Sequence, residues 1–317
     1  MAALALFTFA LNGTACRRIS QLALSPFKKS ASPAPRQPKR SFRLLPSWPS
    51  WPSWSVNPVI RQSLAAYGGK EAWKAREGVE LEMVWKTFEG TRTVDDPALV
   101  QMVTGSPTQI RIHFSKLDQV FALGDAGPWV MLNGKPDDSP EFVARSHYTA
   151  ATMAFFLSLP FSLTDPGVVI HETEAKTWGG DTFDVVTVGF RGSNYPWHDD
   201  TLALWFRRPS FLLDRCYFVS TASGSAFGPP PNYIWILWQE PTQLNGLQLA
   251  RRWSFLRSDT TGAMKEKMFD IEVANAVPNR SFLPVLFRKP IIEPLVGPRP
   301  LIIPGTTPTP TPAVPQP

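Results

Sequence analysis

The run VELEMVWKTF at 79–88 sets Val79, Leu81, Met83 and Trp85 on one side and Glu80, Glu82 and Lys86 on the other. A two-residue repeat of this kind is the mark of a strand with one covered face. The pattern returns along most of the chain. TQIRIHFS opposes Ile110, Ile112 and Phe114 to Arg111, His113 and Ser115. DQVFALG leads through a Gly-Pro turn into WVMLNGK, where Asn133–Gly134 signals a tight turn. Further runs are VVIHE at 168–172, TFDVVTVGF at 182–190, TLALWFR at 201–207 and LDRCYFVS at 213–220. YIWILWQE at 233–240, LQLARRWSFLR at 247–257 and MFDIEVANA at 268–276 complete ten or eleven strands. Their short connections favour antiparallel pairing, because parallel neighbours need long crossovers. A sheet of that width curls, and its oily face needs a cover. The predicted fold class is mainly β: a large curved antiparallel sheet, an unclosed half-barrel, with helical segments covering the concave face.

Two stretches break the period of two. In PVIRQSLAAYGGKEAW, Ile60, Leu64 and Tyr67 recur at helical spacing, Gly68–Gly69 stops the helix, and Trp73 packs just beyond. In SPEFVARSHYTAATMAFFLSL at 139–159, Ser139 or Ser146 is a candidate cap and Pro160 ends the helix or starts a new turn. MAFFLSLPFSLTDPG at 153–167 is too short to span a bilayer and too apolar to lie in water. Its Phe155, Phe156, Leu159, Phe161 and Leu163 are expected to plug the hollow of the half-barrel, with Pro160, Pro166 and Gly167 as hinge points. The candidate cavity lining on the strands is Leu81, Met83 and Trp85, then Ile110, Ile112 and Phe114, then Trp235, Leu237 and Trp253. The plainer reading of each is ordinary core.

The ends differ in composition. Ten of the 32 Lys and Arg lie in residues 1–70, where there is no Asp or Glu, and the other 22 face all 26 acids. The basic balance of +6 therefore belongs to the leader, and a folded nucleic-acid surface is not expected. Residues 1–16 read as a signal or targeting segment, with an apolar run at 2–10 and small residues before Cys16, the candidate lipid-anchor site. Cleavage without lipidation and an organelle transit peptide are the alternatives. Residues 17–57 read as a basic Pro/Ser/Trp-rich tether, in which PSWPSWPSW aligns Trp48, Trp51 and Trp54 along a polyproline II helix. That suits either a membrane-surface strap or a plain linker. The half-barrel domain is placed at 58–288, and 289–317, with ten prolines, reads as a disordered tail.

Three stretches carry a family resemblance: Tyr67-Gly68-Gly69-Lys70-Glu71-Ala72 before the first strand, the apolar run Trp129–Lys135 into Asn-Gly-Lys, and Phe-Phe-x-Ser-Leu-Pro-Phe-x-Leu-x-Asp-Pro-Gly at 155–167. Together they resemble the bacterial outer-membrane lipoprotein carrier and lipoprotein-sorting-like superfamily, in its uncharacterised lipoprotein-like branch, over roughly residues 58–290. The resemblance implies an unclosed antiparallel sheet with helices lining a hydrophobic cavity, which holds acyl chains in characterised relatives. It implies no catalytic residues. The chain departs from carrier members in its long Pro-rich ends, and Gly13 stands where a lipoprotein box usually has a large apolar residue.

Catalytic signatures are missing from the sequence: there is no GxSxG, GxGxxG, P-loop, HExxH or calcium loop. The two cysteines have neither CxxC spacing nor a shared environment, and Cys216 reads as core. His113, His147 and His171 read as hydrogen-bonded structural residues. His198, Asp199 and Asp200 form the one dense polar cluster, a weak candidate for metal that a turn explains as well. Asp95–Asp96 and Asp137–Asp138 read as solvated loop acids. The expectation is a non-enzymatic protein that needs no cofactor, exported and periplasmic or membrane-anchored, which binds an acyl chain, lipid or other amphiphile. Its expected partners are that small molecule and, through the tether, a membrane surface. The alternatives are an envelope scaffold or interaction module with a self-filled core, and, further off, a His/Asp-dependent enzyme.

Overall fold

Thirteen strands hydrogen-bond into one antiparallel sheet in the computed structural model, which describes residues 57–89, 92–104, 108–191, 195–196, 200–220 and 231–291. The strands are β1 Gly78–Glu89, β2 Arg92–Val103, β3 Gln109–Phe114, β4 Gln119–Gly124, β5 Gly127–Leu132, β6 Lys135–Asp137, β7 Val168–Trp178, β8 Asp181–Phe190, β9 Thr201–Arg207, β10 Leu212–Ser220, β11 Asn232–Leu244, β12 Leu247–Ser258 and β13 Met264–Pro278. Their spatial order is β6-β5-β4-β3-β2-β1-β13-β12-β11-β10-β9-β8-β7. Neighbours in space are neighbours in sequence everywhere except at β1–β13, where the first and last strands zip together from Val79↔Pro278 to Thr87↔Phe269. The sheet is curved and does not close, as the alternating pattern predicts; its open edges are β6 and β7.

This order settles where the apolar segment goes. β6 and β7 are consecutive strands of the chain on opposite rims of the sheet, so their connection must cross the hollow. The crossing is α3, Pro140–Leu157, followed by a 3-10 turn at Phe161–Thr164. From Tyr148 to Phe156 every residue of α3 is buried, as a helix enclosed on all sides requires. Ser146 pins it to the sheet: its Oγ accepts from the Ala122 amide at 3.1 Å and donates to the Trp129 carbonyl at 2.6 Å. Ser139 sits at the N-cap without a capping bond from its hydroxyl, while the Asp137 Oδ1 accepts from the Ser139 amide at 2.8 Å. The helix stops before the cis Leu159–Pro160 bond, and Gly167 turns the chain into β7 at φ +92°, where a Cβ would meet the Arg191 carbonyl at 2.5 Å.

Two short helices precede the sheet. α1, Pro58–Ala66, is capped by Asn57, whose Oδ1 accepts from the Val59 and Ile60 amides at 3.0 and 3.2 Å. α2, Lys70–Lys74, follows Gly68–Gly69 and carries Trp73 inward. One large core then joins α1, α2 and α3 to the concave faces of β1–β5 and β7–β13.

Three expectations are corrected. There are thirteen described strands, and β2 and β6 were not anticipated: Asp95 and Asp96 lie within β2, paired with Lys86 and Trp85, and Asp137 lies within β6, paired with Val130, so these three are not loop acids. The convex face is not uniformly polar. It holds a small core of Phe183, Val185, Trp205 and Trp235 and another of Val120, Ala122 and Trp129. The second is bounded by the turn Pro284–Phe287, where the Trp129 indole Nε1 donates to the Phe287 carbonyl at 2.8 Å. Trp235 therefore leaves the cavity set: it packs on the outer side with Trp205 and Tyr217. Leu237 shares its parity and stands outside the concave core, but it lines a cleft together with Leu213, Trp238 and Leu249. The concave residues of β11 are Ile234, Ile236 and Trp238.

The hollow beneath the crossover

The remaining candidates converge. Leu81, Met83, Trp85, Ile110, Ile112, Phe114 and Trp253 from the strands meet Phe155, Phe156, Leu159, Phe161 and Leu163 from the crossing segment in the one concave core. Phe156 is the centre of the plug. Its ring lies edge-on to Phe218 at 6.2 Å and to Trp238 at 5.7 Å, and Trp238 touches Trp253, its cross-strand partner, at 5.9 Å. Phe155 turns the other way, to Phe190 at 5.4 Å and Tyr195 at 5.5 Å. Such edge-to-face pairs add about 0.5–1.5 kcal/mol each beyond burial.

Phe161 links the plug to the two N-terminal helices. It stacks on Trp73 with centroids 4.7 Å apart and meets Tyr67 edge-on at 6.4 Å. Tyr67 is held in turn by β10, where its hydroxyl accepts from the Leu213 amide at 3.3 Å; burial pushes its phenol up to about 12.

Space is distributed unevenly around this aromatic trio. Under it, between Val79, Leu81, Phe156, Leu159, Trp238 and Trp253, a volume of about 30 Å³ remains, enough for one or two water molecules. On one side a cleft of about 340 Å³ opens between Tyr67, Leu213, Trp238 and Leu249, rimmed by Arg207, Asp214, Arg215 and Glu240. On the other a cleft of about 280 Å³ opens over Trp73 and Phe161, rimmed by Lys70, Lys74 and Asp165. Burial raises the Asp165 carboxyl, against the Tyr195 hydroxyl that donates to it at 2.9 Å. Each cleft lies within the roughly 300–1,000 Å³ range of small-molecule sites or just below it, whereas the space beneath the plug does not.

Sequence reading missed Tyr67, Trp73, Trp238, Leu213 and Leu249 as parts of this site. A signal existed for Trp238, since it keeps the parity of Ile234 and Ile236. None existed for Leu213 and Leu249, which become neighbours only through the sheet register.

The weak metal candidates do not gain support. Asp200 is buried at the start of β9, while His198 and Asp199 lie outside the described residues. Among the described residues no group of three or more His, Cys, Asp or Glu gathers. Burial lowers the His147 pKa, and Cys216 is fully buried within the core. Cys16, Trp48, Trp51 and Trp54 lie outside the described residues. Among those described, no helix is long and apolar enough to cross a membrane.

No family model matches the chain, and no curated protein is similar to it in sequence. Solved structures align with it in three dimensions. A LolA superfamily protein from Nitrosomonas europaea aligns over 73% of this chain and 97% of its own, with 9% identity and a TM-score of 0.46. A putative outer membrane lipoprotein-sorting protein domain from Vibrio parahaemolyticus covers 72% and 97%, with 10% identity and a TM-score of 0.47. A DUF1329 family protein from Desulfovibrio piger covers 75% and 97%, with 9% identity and a TM-score of 0.46. The fold itself rests on the strand register described above.

Proposed function

We propose that the chain is a non-enzymatic, exported protein that takes the alkyl chain of a lipid or other amphiphile into the hollow by displacing its own aromatic plug. One observation carries this reading. Each of the two clefts adjoins the small space beneath the plug, sharing Tyr67, Leu213 and Trp238 with it at one junction and Trp73 and Phe161 at the other. Phe161 lines two of the three, and moving it with the turn that bears it joins the cleft over Trp73 to the small space beneath the plug.

The energetics permit the exchange. A dozen buried methylenes gain roughly 10 kcal/mol before ordering costs. Unseating one core Phe forfeits on the order of 3–5 kcal/mol. Export and anchoring through Cys16 complete the proposal, with the basic Trp-rich tether lying on the membrane; Cys16→Ser should release the protein from the membrane fraction.

A second reading has its own observation. The space of about 30 Å³ beneath the plug suits a scaffold whose core is self-filled. Native mass spectrometry of the full chain, purified without detergent and then incubated with a neutral twelve-carbon amphiphile, separates the two. A one-to-one adduct supports the carrier. A bare mass at every concentration below micelle formation leaves the scaffold.

A further inference from the structure

Resting on that reading, we infer that the alkyl chain enters through the wall of the half-barrel, at a split in the sheet between β10 and β11, and leaves its head at the outer lip of that split. Among the described residues the two strands pair from Arg215↔Leu237 to Ser220↔Asn232 and no further. Beyond that point β11 runs on from Trp238 to Leu244 against β12, while Leu212 and Leu213 of β10 stay with β9. The cleft of about 340 Å³ is this split, lined by Leu212–Arg215 on one side and Leu237–Pro241 on the other.

Local chain geometry builds it. Asp214 is an extra residue in the β10 ladder, passed over between Leu213↔Phe206 and Arg215↔Trp205, and such a bulge bends its strand. On the facing strand Glu240 stands at φ +55°, uncommon for a residue with a side chain, and Pro241 after it has no amide to offer a ladder. The Leu213 amide is met by the Tyr67 hydroxyl and not by β11.

The split reaches both faces of the sheet. Leu213, Trp238 and Ala250 belong to the concave core, whereas Arg207 and Arg215 lie over Phe183 of the convex one at 5.2 and 5.1 Å; all five of these lining residues border the cleft. Its inner end shares Tyr67, Leu213, Trp238, Leu249 and Ala250 with the space beneath the plug, an apolar throat suited to methylenes. At its outer lip the charges are matched. Arg207 Nη2 and Arg215 Nε hold the two oxygens of Asp214 at 2.5 and 2.7 Å, Arg207 also holds Asp181, and Glu240 pairs with Arg252. A head therefore needs no charge to rest there. Entry over α2 would part the stacked Trp73–Phe161 pair, and entry elsewhere through the sheet would break ladder hydrogen bonds. Between β10 and β11 the ladder has already parted.

The test uses the full chain and a dodecyl maltoside that carries a photoreactive diazirine on the chain carbon nearest its head, added below micelle formation. After irradiation, mass spectrometry of the digest is expected to place the cross-links on Leu212–Arg215 and Leu237–Pro241. Cross-links on Lys70–Lys74, alone or in equal yield, overturn the assignment of the mouth while the alkyl site stands. Ser210→Trp, at an exposed position on the lip, and Leu249→Trp, in the throat, narrow the way in, with unfolding midpoints as the check on folding. Each should slow association of unlabelled dodecyl maltoside about tenfold or more, whereas Lys74→Trp at the opposite cleft should leave the rate within about twofold. A rate that survives both blocking variants, or that Lys74→Trp slows as much, also overturns the mouth. Failure of the parent to bind the maltoside at all overturns both this inference and the function on which it rests.

Discussion

Phe161→Ala tests whether the plug is a gate. The ring is 5% exposed and makes two aromatic contacts, a stack on Trp73 and an edge contact with Tyr67. Truncating a core Phe costs about 3–5 kcal/mol. The lower end applies here, because one side of the ring borders the 280 Å³ cleft and water can fill part of the vacated space. For a domain of this size, about 3 kcal/mol corresponds to a fall in Tm of roughly 6–12 °C. The same change removes what a guest has to displace. If the native ring must leave before a chain can enter, the variant should bind a neutral dodecyl amphiphile up to about 100-fold more tightly, since about 3 kcal/mol is a little over two decades in affinity. Calorimetric unfolding gives the first quantity and titration the second. A variant that melts lower but binds no better than the parent would refute the gate, because the lost stability would then belong to a core that no guest enters.

Other sites test the frame. Ser146→Ala leaves the Ala122 amide without its buried partner and should lose about 1–3 kcal/mol in urea unfolding; an unchanged midpoint would show that the bond does not tie α3 to the sheet. Asn57→Ala removes the cap of α1 and should lose about 1 kcal/mol, measured the same way. Asp96 carries a pH dependence. Burial raises its carboxyl from near 3.8 to about 6, so between those values the folded chain holds a proton that the unfolded chain has released. Stability must therefore fall as pH rises through that window, and be fully present below it. Asp96→Asn should flatten that part of a Tm–pH curve, and an identical slope in parent and variant would assign the dependence elsewhere.

The strands that could be read from sequence are those with one dry face and one wet face. β3 alternates cleanly, and its observed bounds Gln109–Phe114 fall inside the run TQIRIHFS. β2 escaped notice for a physical reason. Its first half, Arg92–Pro97, pairs with β1 alone, because β3 joins only from Ala98 onward. A stretch with a single partner tolerates Asp95, Asp96 and even Pro97, and so looks like a loop. The far end of β7 is hidden likewise: it is a rim strand, exposed residue after residue from His171 to Trp178. β11 fails in the opposite sense. YIWILW is apolar throughout because both its faces are covered, so no period reveals which side each residue takes, and Trp235 was assigned to the wrong one. The plug was legible as a segment but its partners were not. Tyr67 and Trp73 reach Phe161 across some ninety positions of chain, a distance that no local pattern spans.

That α3 ties together β6 and β7 limits how such a bowl can open. A cover fastened at both rims cannot swing aside on one hinge as a flap does. It can bow, or slide along its own length, and either motion pulls on both edge strands at once.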